Sequence, residues 1–514
     1  MSLPIVNELV SSMTTRIDRA RIKREVRKFF RYVMLSHKWD EDGPLFQHVI
    51  HMAVYDLGRS QTHDKLQTFC RIVRDAGFNW AWSDTCCINK EDNFVLQEAL
   101  VAMFKWYQGS VMTIVYLRGV RSPAKLGDLA KNIWNTRAWT LQEYVVAKVI
   151  WFYTEDWTPY LNLDTTFNHK ESPEIIAEME QTTGVSAQQL AALRPGLSSI
   201  REKLRLASTR QTTVVEDAAY SLPGIFSVAG LSAIYGEGEG ALGRLLAHIL
   251  SESGDAGVLA WTGQSSTYNS CLPAYITVFN RPASSHIPPP IGDAEMETTI
   301  TMLRTSTLDL DLALKLYDRL NELPAPWFAA SRMKLPCIAF KLPPLSPTRT
   351  VSGRVYRVET PVFGMVEIKT KQELSLTNSM CLVHPWLDAL LDREDIQTGV
   401  SVEDDVAEPS SPNSDEEDEE EEELEDDSSQ LSERTSPSHP PSMGTAPVDK
   451  ETRALQLVAR LRQPSGALLF TLASTRRRAV EYKRVAADSM ITVQIQEDVA
   501  LTDVLDNVHI LDVL

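Results

Sequence analysis

Over the first third of the chain, short unbroken apolar runs alternate with stretches of helical spacing. Tyr32-Val-Met-Leu-Ser36, Phe78-Asn-Trp-Ala-Trp-Ser83, Val111-Met-Thr-Ile-Val-Tyr-Leu117 and Val145-Val-Ala-Lys-Val-Ile-Trp-Phe-Tyr153 are the runs; each reads as a strand, the first and last as buried ones. Between them, Lys65 to Ala76 places Leu66, Phe69, Cys70 and Val73 on one helical face, and Gly77 stops it. Glu91 to Gln108 does the same with Leu96, Ala99, Leu100, Met103, Phe104 and Tyr107. Residues 14–30 are basic and helical in pattern. Four alternations of strand and helix predict an α/β domain, a parallel sheet with helices on both faces. In such sheets ligands gather at the carboxyl ends of the strands. Ser36-His37-Lys38-Trp39 follows the first strand and Asp84-Thr-Cys-Cys-Ile-Asn89 the second, so both belong at that edge. After the third strand comes Asn135-Thr-Arg-Ala-Trp-Thr-Leu-Gln-Glu-Tyr144. There Trp139 and Glu143 stand four residues apart, on one helical face, within reach of the same edge.

Beyond residue 155 the pattern changes. Pro173 to Leu206 reads as helical with a break at Pro195-Gly196, Arg244 to Glu252 as a helix, and 296–322 as another. Val351-Ser-Gly-Arg-Val-Tyr-Arg-Val358 and Val362-Phe-Gly-Met-Val-Glu-Ile368 alternate like antiparallel strands, as do runs between 466 and 496. The expected plan is an N-terminal helix (1–30), an α/β domain (31–155), a helical region (156–265), a mixed, β-rich region (266–399), an acidic linker (400–450) and a β-rich C-terminal segment (451–514).

Charge supports that plan. The 514 residues carry a net charge of −18, of which Glu403 to Asp427 contributes −16 with no Lys or Arg. A segment this acidic, and rich in Ser and Pro, cannot bury enough apolar surface to fold, so a disordered linker is expected. The remainder is nearly neutral and offers no global basic field for nucleic acid. The N-terminus shows no apolar signal core, and no apolar run is long enough to span a membrane. Six cysteines without a CxxC pair fit reduced thiols, so a soluble, cytoplasmic protein is expected. No metal site is expected, since Cys86-Cys87 lacks partners at zinc spacing.

Several residues have two readings. Glu143 is either a carboxylate beside an aromatic platform, suited to a ribose and to a positive charge on it, or a surface residue of a core helix with Trp139 packed inward. Arg137 suits a phosphate or, equally, an interdomain salt bridge. Trp39 suits a ring stack or a core position under the sheet edge. Gly238-Glu-Gly-Ala-Leu-Gly243 fits GxGxxG as a string, but no strand precedes it and Glu237 and Glu239 would repel a phosphate, so it reads as a turn and helix start. A Cys87–His37 nucleophilic pair would need two loops to meet and lacks a third partner.

Tyr32-Val-Met-Leu-Ser-His-Lys-Trp39, Trp82-Ser-Asp-Thr-Cys-Cys-Ile-Asn89 and Thr136-Arg-Ala-Trp-Thr-Leu-Gln-Glu143 resemble, in order, the three signature blocks of the fungal heterokaryon-incompatibility (HET) domain. Ala207-Ser-Thr-Arg-Gln-Thr-Thr213, Glu216-Asp-Ala-Ala-Tyr-Ser-Leu-Pro-Gly-Ile-Phe226, Tyr235-Gly-Glu-Gly238 and Ala260-Trp261 are similar to the region that often follows it. His37-Lys38, Asp40 and Lys90 depart from the family's frequent residues. HET domains in turn resemble TIR domains, many of which cleave NAD with a Glu four residues after a Trp, on the helix that follows the third strand. The resemblance implies a TIR/flavodoxin-like sheet, with Glu143 as catalytic residue. Ser36, His37, Trp39, Asp84, Arg137 and Trp139 would be substrate-binding. NAD would be substrate rather than cofactor, and nicotinamide and an ADP-ribose product would leave. The implied setting is fungal non-self recognition and cell death, with self-association or other signalling proteins as partners. Glu143, ionised near its reference pKa of about 4.3, would stabilise the ribosyl cation. The alternative is a non-enzymatic signalling or scaffold module.

Overall fold

The computed structural model describes residues 19–38, 43–280, 291–306, 308–350, 353–370, 372–375, 378–391, 449–476 and 479–514. The acidic segment and Trp39 lie outside them.

A basic helix, Arg19–Phe29 (α1), leads into the first sheet. Its four strands are Tyr32–His37 (β1), Trp80–Ser83 (β2), Met112–Leu117 (β3) and Ile150–Thr154 (β4). They are all parallel, in the order β2-β1-β3-β4. Helices Gln61–Asp75 (α2) and Asn93–Gly109 (α3) flank them, α2 capped by Ser60 and α3 by Asp92. Both caps accept from amides of the first turn, the usual device for the unpaired N–H groups there. Side chains alternate across a strand. Val33 and Leu35 therefore join Phe69 and Val73 of α2 in one core, while Met34 joins Met103 and Tyr107 of α3 in another.

One boundary differs from expectation. Val145 and Val146 end the helix Trp139–Val146 (α4) rather than open a strand, and the fourth strand begins at Ile150. A fully buried helix end and a buried strand are equally apolar, so the run carries no periodicity that separates them.

The helical region contains Pro173–Thr183 (α5), Ile200–Ser208 (α6) and Gly240–Ser253 (α7). The stretch read as one helix near 296–322 is two, Asp293–Thr305 (α8) and Leu310–Asn321 (α9). Five of the strands that follow are Arg332–Lys341 (β5), Met380–His384 (β6), Ser465–Arg476 (β7), Ala479–Val485 (β8) and Val508–Val513 (β9). Pairings β5–β6, β6–β7, β7–β8, β8–β9 and β9–β5 close a ring, with only β8–β9 parallel. A separate antiparallel sheet is formed by Ser346–Thr350, Gly353–Thr360 and Gly364–Thr370. Met333, Leu335 and Cys337 of β5 share one continuous core with Val115 and Phe152 of the first sheet and Leu245 of α7. The alternate residues Ile338 and Phe340 pack with α8, α9 and the helix Lys450–Leu461 (α10). No described helix is long and apolar enough to cross a membrane.

Candidate functional site

Ser36 and His37 are the last two residues of β1, and strand alternation sends them to opposite faces of the sheet. Two polar clusters result, both at the carboxyl edge.

The first gathers around Glu143. The Ser36 hydroxyl donates to Glu143 Oε2, and the Trp134 indole N–H donates to Ser36 Oγ at 2.6 Å. Trp134 comes from a single helical turn, Ile133–Thr136, capped by the Asn132 side chain, whose amide in turn holds the Arg118 carbonyl. Tyr107 of α3 reaches the Leu35 carbonyl at 3.2 Å and lies against the Glu143 carboxyl. Glu143 is 5% exposed. Burial pushes its pKa up to about 8, and the negative charge of Asp84 adds to the rise. The Ser36 hydrogen bond, Arg137 and Arg210 oppose it. Two expectations are thereby corrected. Glu143 does not ionise near 4.3, because the desolvation of its charged form outweighs its partners. Nor is it open to solvent; the indole tied into its hydrogen-bonded cluster, through Ser36, is that of Trp134.

The second cluster forms around His37. Its Nε2 lies 3.1 Å from Asp84 Oδ1 and 2.9 Å from Thr85 Oγ1. The Thr85 hydroxyl itself donates to Asp84 Oδ1. On the other side of the ring, Lys65 Nζ stands 2.9 Å from Nδ1. Asp84 and Thr85 open a helical turn, Asp84–Cys87, directly after β2, which is why they meet β1 at its end. The Cys87–His37 pair does not form. Cys87 Sγ accepts from the Ser83 amide, and the short turn puts Asp84 and Thr85 against the ring instead.

Trp139 and Arg137 sit behind Glu143. Trp139 is half-buried against the hydrophobic core, and its indole N–H serves the Asp217 carboxylate. The Arg137 carbonyl accepts from Arg210 Nη1 at 3.2 Å, and Thr140 Oγ1 accepts from the same nitrogen at 2.9 Å. The neighbouring Gln211 donates its amide to Thr136 O and accepts from Ala138 N. The stretch Ala207–Thr213, singled out in the sequence, is thus spliced onto the start of α4. Arg210 is buried, and burial draws its pKa down to about 10. Its Nε and Nη2, both amide atoms of Asn135 and Nε2 of Gln142 have no hydrogen-bond partner among the described residues, which leaves donors and an acceptor around α4 for a ligand or water.

Gly238-Glu-Gly-Ala-Leu-Gly243 behaves as expected. The amides of Gly236 and Gly238 are taken by the Glu216 carboxylate at 2.8 and 2.9 Å, and Gly240 starts α7. The carboxylate occupies the place a phosphate would need. Lys65, Thr85, Trp134 and Arg210 were not singled out by sequence reasoning. Thr85 and Arg210 had a signal, each lying in a quoted motif.

Residues 32–127 match the family model described as "Heterokaryon incompatibility protein (HET)". The chain carries a HET domain. It is 33% identical over 237 residues, 43% of this chain, to the vegetative incompatibility protein HET-E-1 of Podospora anserina. The match spans only 16% of that protein's length. No solved structure matches the chain significantly. The matched HET segment holds β1, β2, β3, Ser36, His37 and Asp84, and the Glu143 helix follows it.

Proposed function

We propose that this HET-domain protein acts in heterokaryon incompatibility by cleaving NAD at the edge of the first sheet, releasing nicotinamide and an ADP-ribose product. The incompatibility role is supported by the HET match and the likeness to HET-E-1. The observation that carries the chemical reading is a buried carboxyl, Glu143, held by the Ser36 hydroxyl at the carboxyl ends of parallel strands, with its pKa raised to about 8. Perturbed, desolvated carboxyls at such edges are typical of reactive groups.

The raised pKa suits a cationic substrate. Burial strips away the solvation that Glu143 needs to ionise, and Arg137 and Arg210 only partly make up for it. A nicotinamide riboside unit brings a pyridinium, and bond cleavage moves that charge onto the ribose. The carboxylate is then stabilised most when the ribosyl cation has formed, which is differential binding of the transition state. The departing nicotinamide is neutral, so no general acid is required. Asp84, on the same edge, adds a second negative charge. The unpartnered groups of Asn135, Gln142 and Arg210 supply donors for phosphate or ribose oxygens.

The test is to incubate purified protein with NAD and follow nicotinamide release by chromatography. Release that depends on Glu143 supports the reading; none, under conditions where the protein is folded and assembled, refutes it. The low-polarity, protonated setting of Glu143 favours one competitor, in which the carboxyl is a hydrogen-bonded core group of a signalling module. That module would bind partners without turning over NAD. A TIR-like ancestry of the sheet belongs to the same proposal.

A further inference from the structure

We infer that Lys65 is a positioning residue for this edge: it fixes His37 as the neutral ring with its proton on Nε2, and through that proton fixes Asp84. Lys65 lies on α2, on the apolar face that carries Leu66, Phe69 and Val73, and is 6% exposed. Its ammonium sits 2.9 Å from His37 Nδ1 and 5.5 Å from the centre of the Tyr116 ring. Tyr116 is the register partner of His37 on β3, so α2, β1 and β3 converge on the cation.

Donor and acceptor bookkeeping decides the tautomer. An ammonium has three donors and no acceptor. His37 Nδ1 facing it must therefore offer a lone pair, and the ring proton is on Nε2. That N–H points at Asp84 Oδ1 and Thr85 Oγ1. Thr85 uses its own proton on Asp84 Oδ1 at 3.2 Å, so its oxygen is free to accept. In this arrangement the Lys65 ammonium meets the Nδ1 lone pair and the Nε2 proton meets Asp84 and Thr85. The Lys38 carbonyl, 2.9 Å from Nδ1, provides the competing arrangement. Without Lys65, Nδ1 would carry a proton and donate it to that carbonyl. Nε2 would then either turn a lone pair on the Asp84 carboxylate or keep its proton and make His37 a cation. Lys65 thus holds the ring proton off Nδ1. Among the described residues, Lys65 from α2, Asp84 after β2 and Tyr116 from β3 are charged or titratable groups that face His37; on the opposite face of β1, Glu143 feels the Asp84 charge. A His37 cation would pair with Asp84 and weaken the negative field at this edge.

The consequence is that Asp84 is held in a single orientation by the His37 ring and the Thr85 hydroxyl. The experiment reads the His37 ring nitrogens by long-range 15N–1H NMR on the full chain, with the signals assigned by their loss in His37→Asn. At a pH where the ring is neutral, the unaltered protein should show its proton on Nε2. Lys65→Met keeps the length and apolar contacts of the stem and should move the ring proton towards Nδ1. Lys65→Arg, also a donor without an acceptor, should retain the wild-type pattern. A neutral ring with its proton on Nδ1 in the unaltered protein overturns the inference, as does Lys65→Met with unaltered His37 signals. Only the turnover arm rests on the proposed NAD chemistry. There Lys65→Met should lower nicotinamide release, while Lys65→Arg restores it. An unaltered protein that shows the Nε2–H ring but releases no nicotinamide sinks the NAD reading and leaves the role of Lys65 standing.

Discussion

Glu143 can serve a cation only after it gives up its proton, and burial holds that proton on up to about pH 8. Two consequences separate cleanly. In catalysis, kcat/KM for nicotinamide release should climb from pH 6 towards a plateau above about 8, because the free enzyme must lose one proton. In stability, the sign runs the other way. The folded pKa is raised above the unfolded value of about 4.3, so this group's contribution is full below the unfolded pKa and is lost as pH rises through the folded one. Glu143→Gln cannot ionise. Its melting temperature relative to the unaltered protein should therefore increase between pH 6 and 9, and a difference constant with pH would contradict the raised pKa. The same substitution should reduce nicotinamide release by roughly 10²–10³-fold, as loss of a comparable electrostatic contact does, with NAD affinity changed much less. Glu98, exposed on α3, is the control, and Glu98→Gln should turn over like the parent. Ser36, Asp84 and Glu143 were legible because each ends a strand or sits in a recognisable block. Lys65 and Trp134 were not. On a helix a lysine reads as solvent-facing, and only the fold shows that this one meets a histidine on the sheet face its helix covers.

Elements join through close contacts as well as hydrogen bonds. Gly224 lies in the Ser-Leu-Pro-Gly-Ile-Phe226 stretch, and a Cβ there would meet the Phe104 ring at 2.1 Å. Phe104, on α3, packs against both the central core and the core beneath that helix. The glycine is required by this approach rather than by its dihedral angles. Gly224→Ala should cost about 1–3 kcal/mol, the usual scale of overpacking. Adding Phe104→Leu should recover part of it in a thermal melt; no recovery would place the strain elsewhere. Helices with strong periodicity, such as α2 and α3, could be placed from the sequence to within a few residues. The α4–β4 boundary could not, because Val145 to Tyr153 is apolar apart from the exposed Lys148 and shows no period that separates helix from strand.

Across the whole molecule, one buried cation ties the C-terminal strands to the helical region. Arg484 of β8 donates to the carbonyls of Leu259, Trp261 and Cys271 at 2.8–3.2 Å and stacks on Trp261 at 3.9 Å. Arg484→Ala leaves three buried acceptors without that donor and should cost about 3 kcal/mol, read as a lowered denaturation midpoint; an unchanged midpoint would show that the two parts hold together by apolar packing alone. The Ala260-Trp261 motif was visible in the sequence, yet its partner more than two hundred residues away was not, since nothing local records such a pairing. The ring closure of the C-terminal strands was equally hidden, being made of long-range pairings such as β9 alongside β5. That closure has a practical result. β6 and β7 pair from Met380↔Thr471 to Val383↔Leu468, although the acidic stretch separates them in the chain. A backbone break introduced by a site-specific protease between Leu391 and Asp449 should therefore yield two polypeptides that travel together through gel filtration and part only in denaturant. The two halves, expressed as separate genes, should find one another and rebuild the molecule.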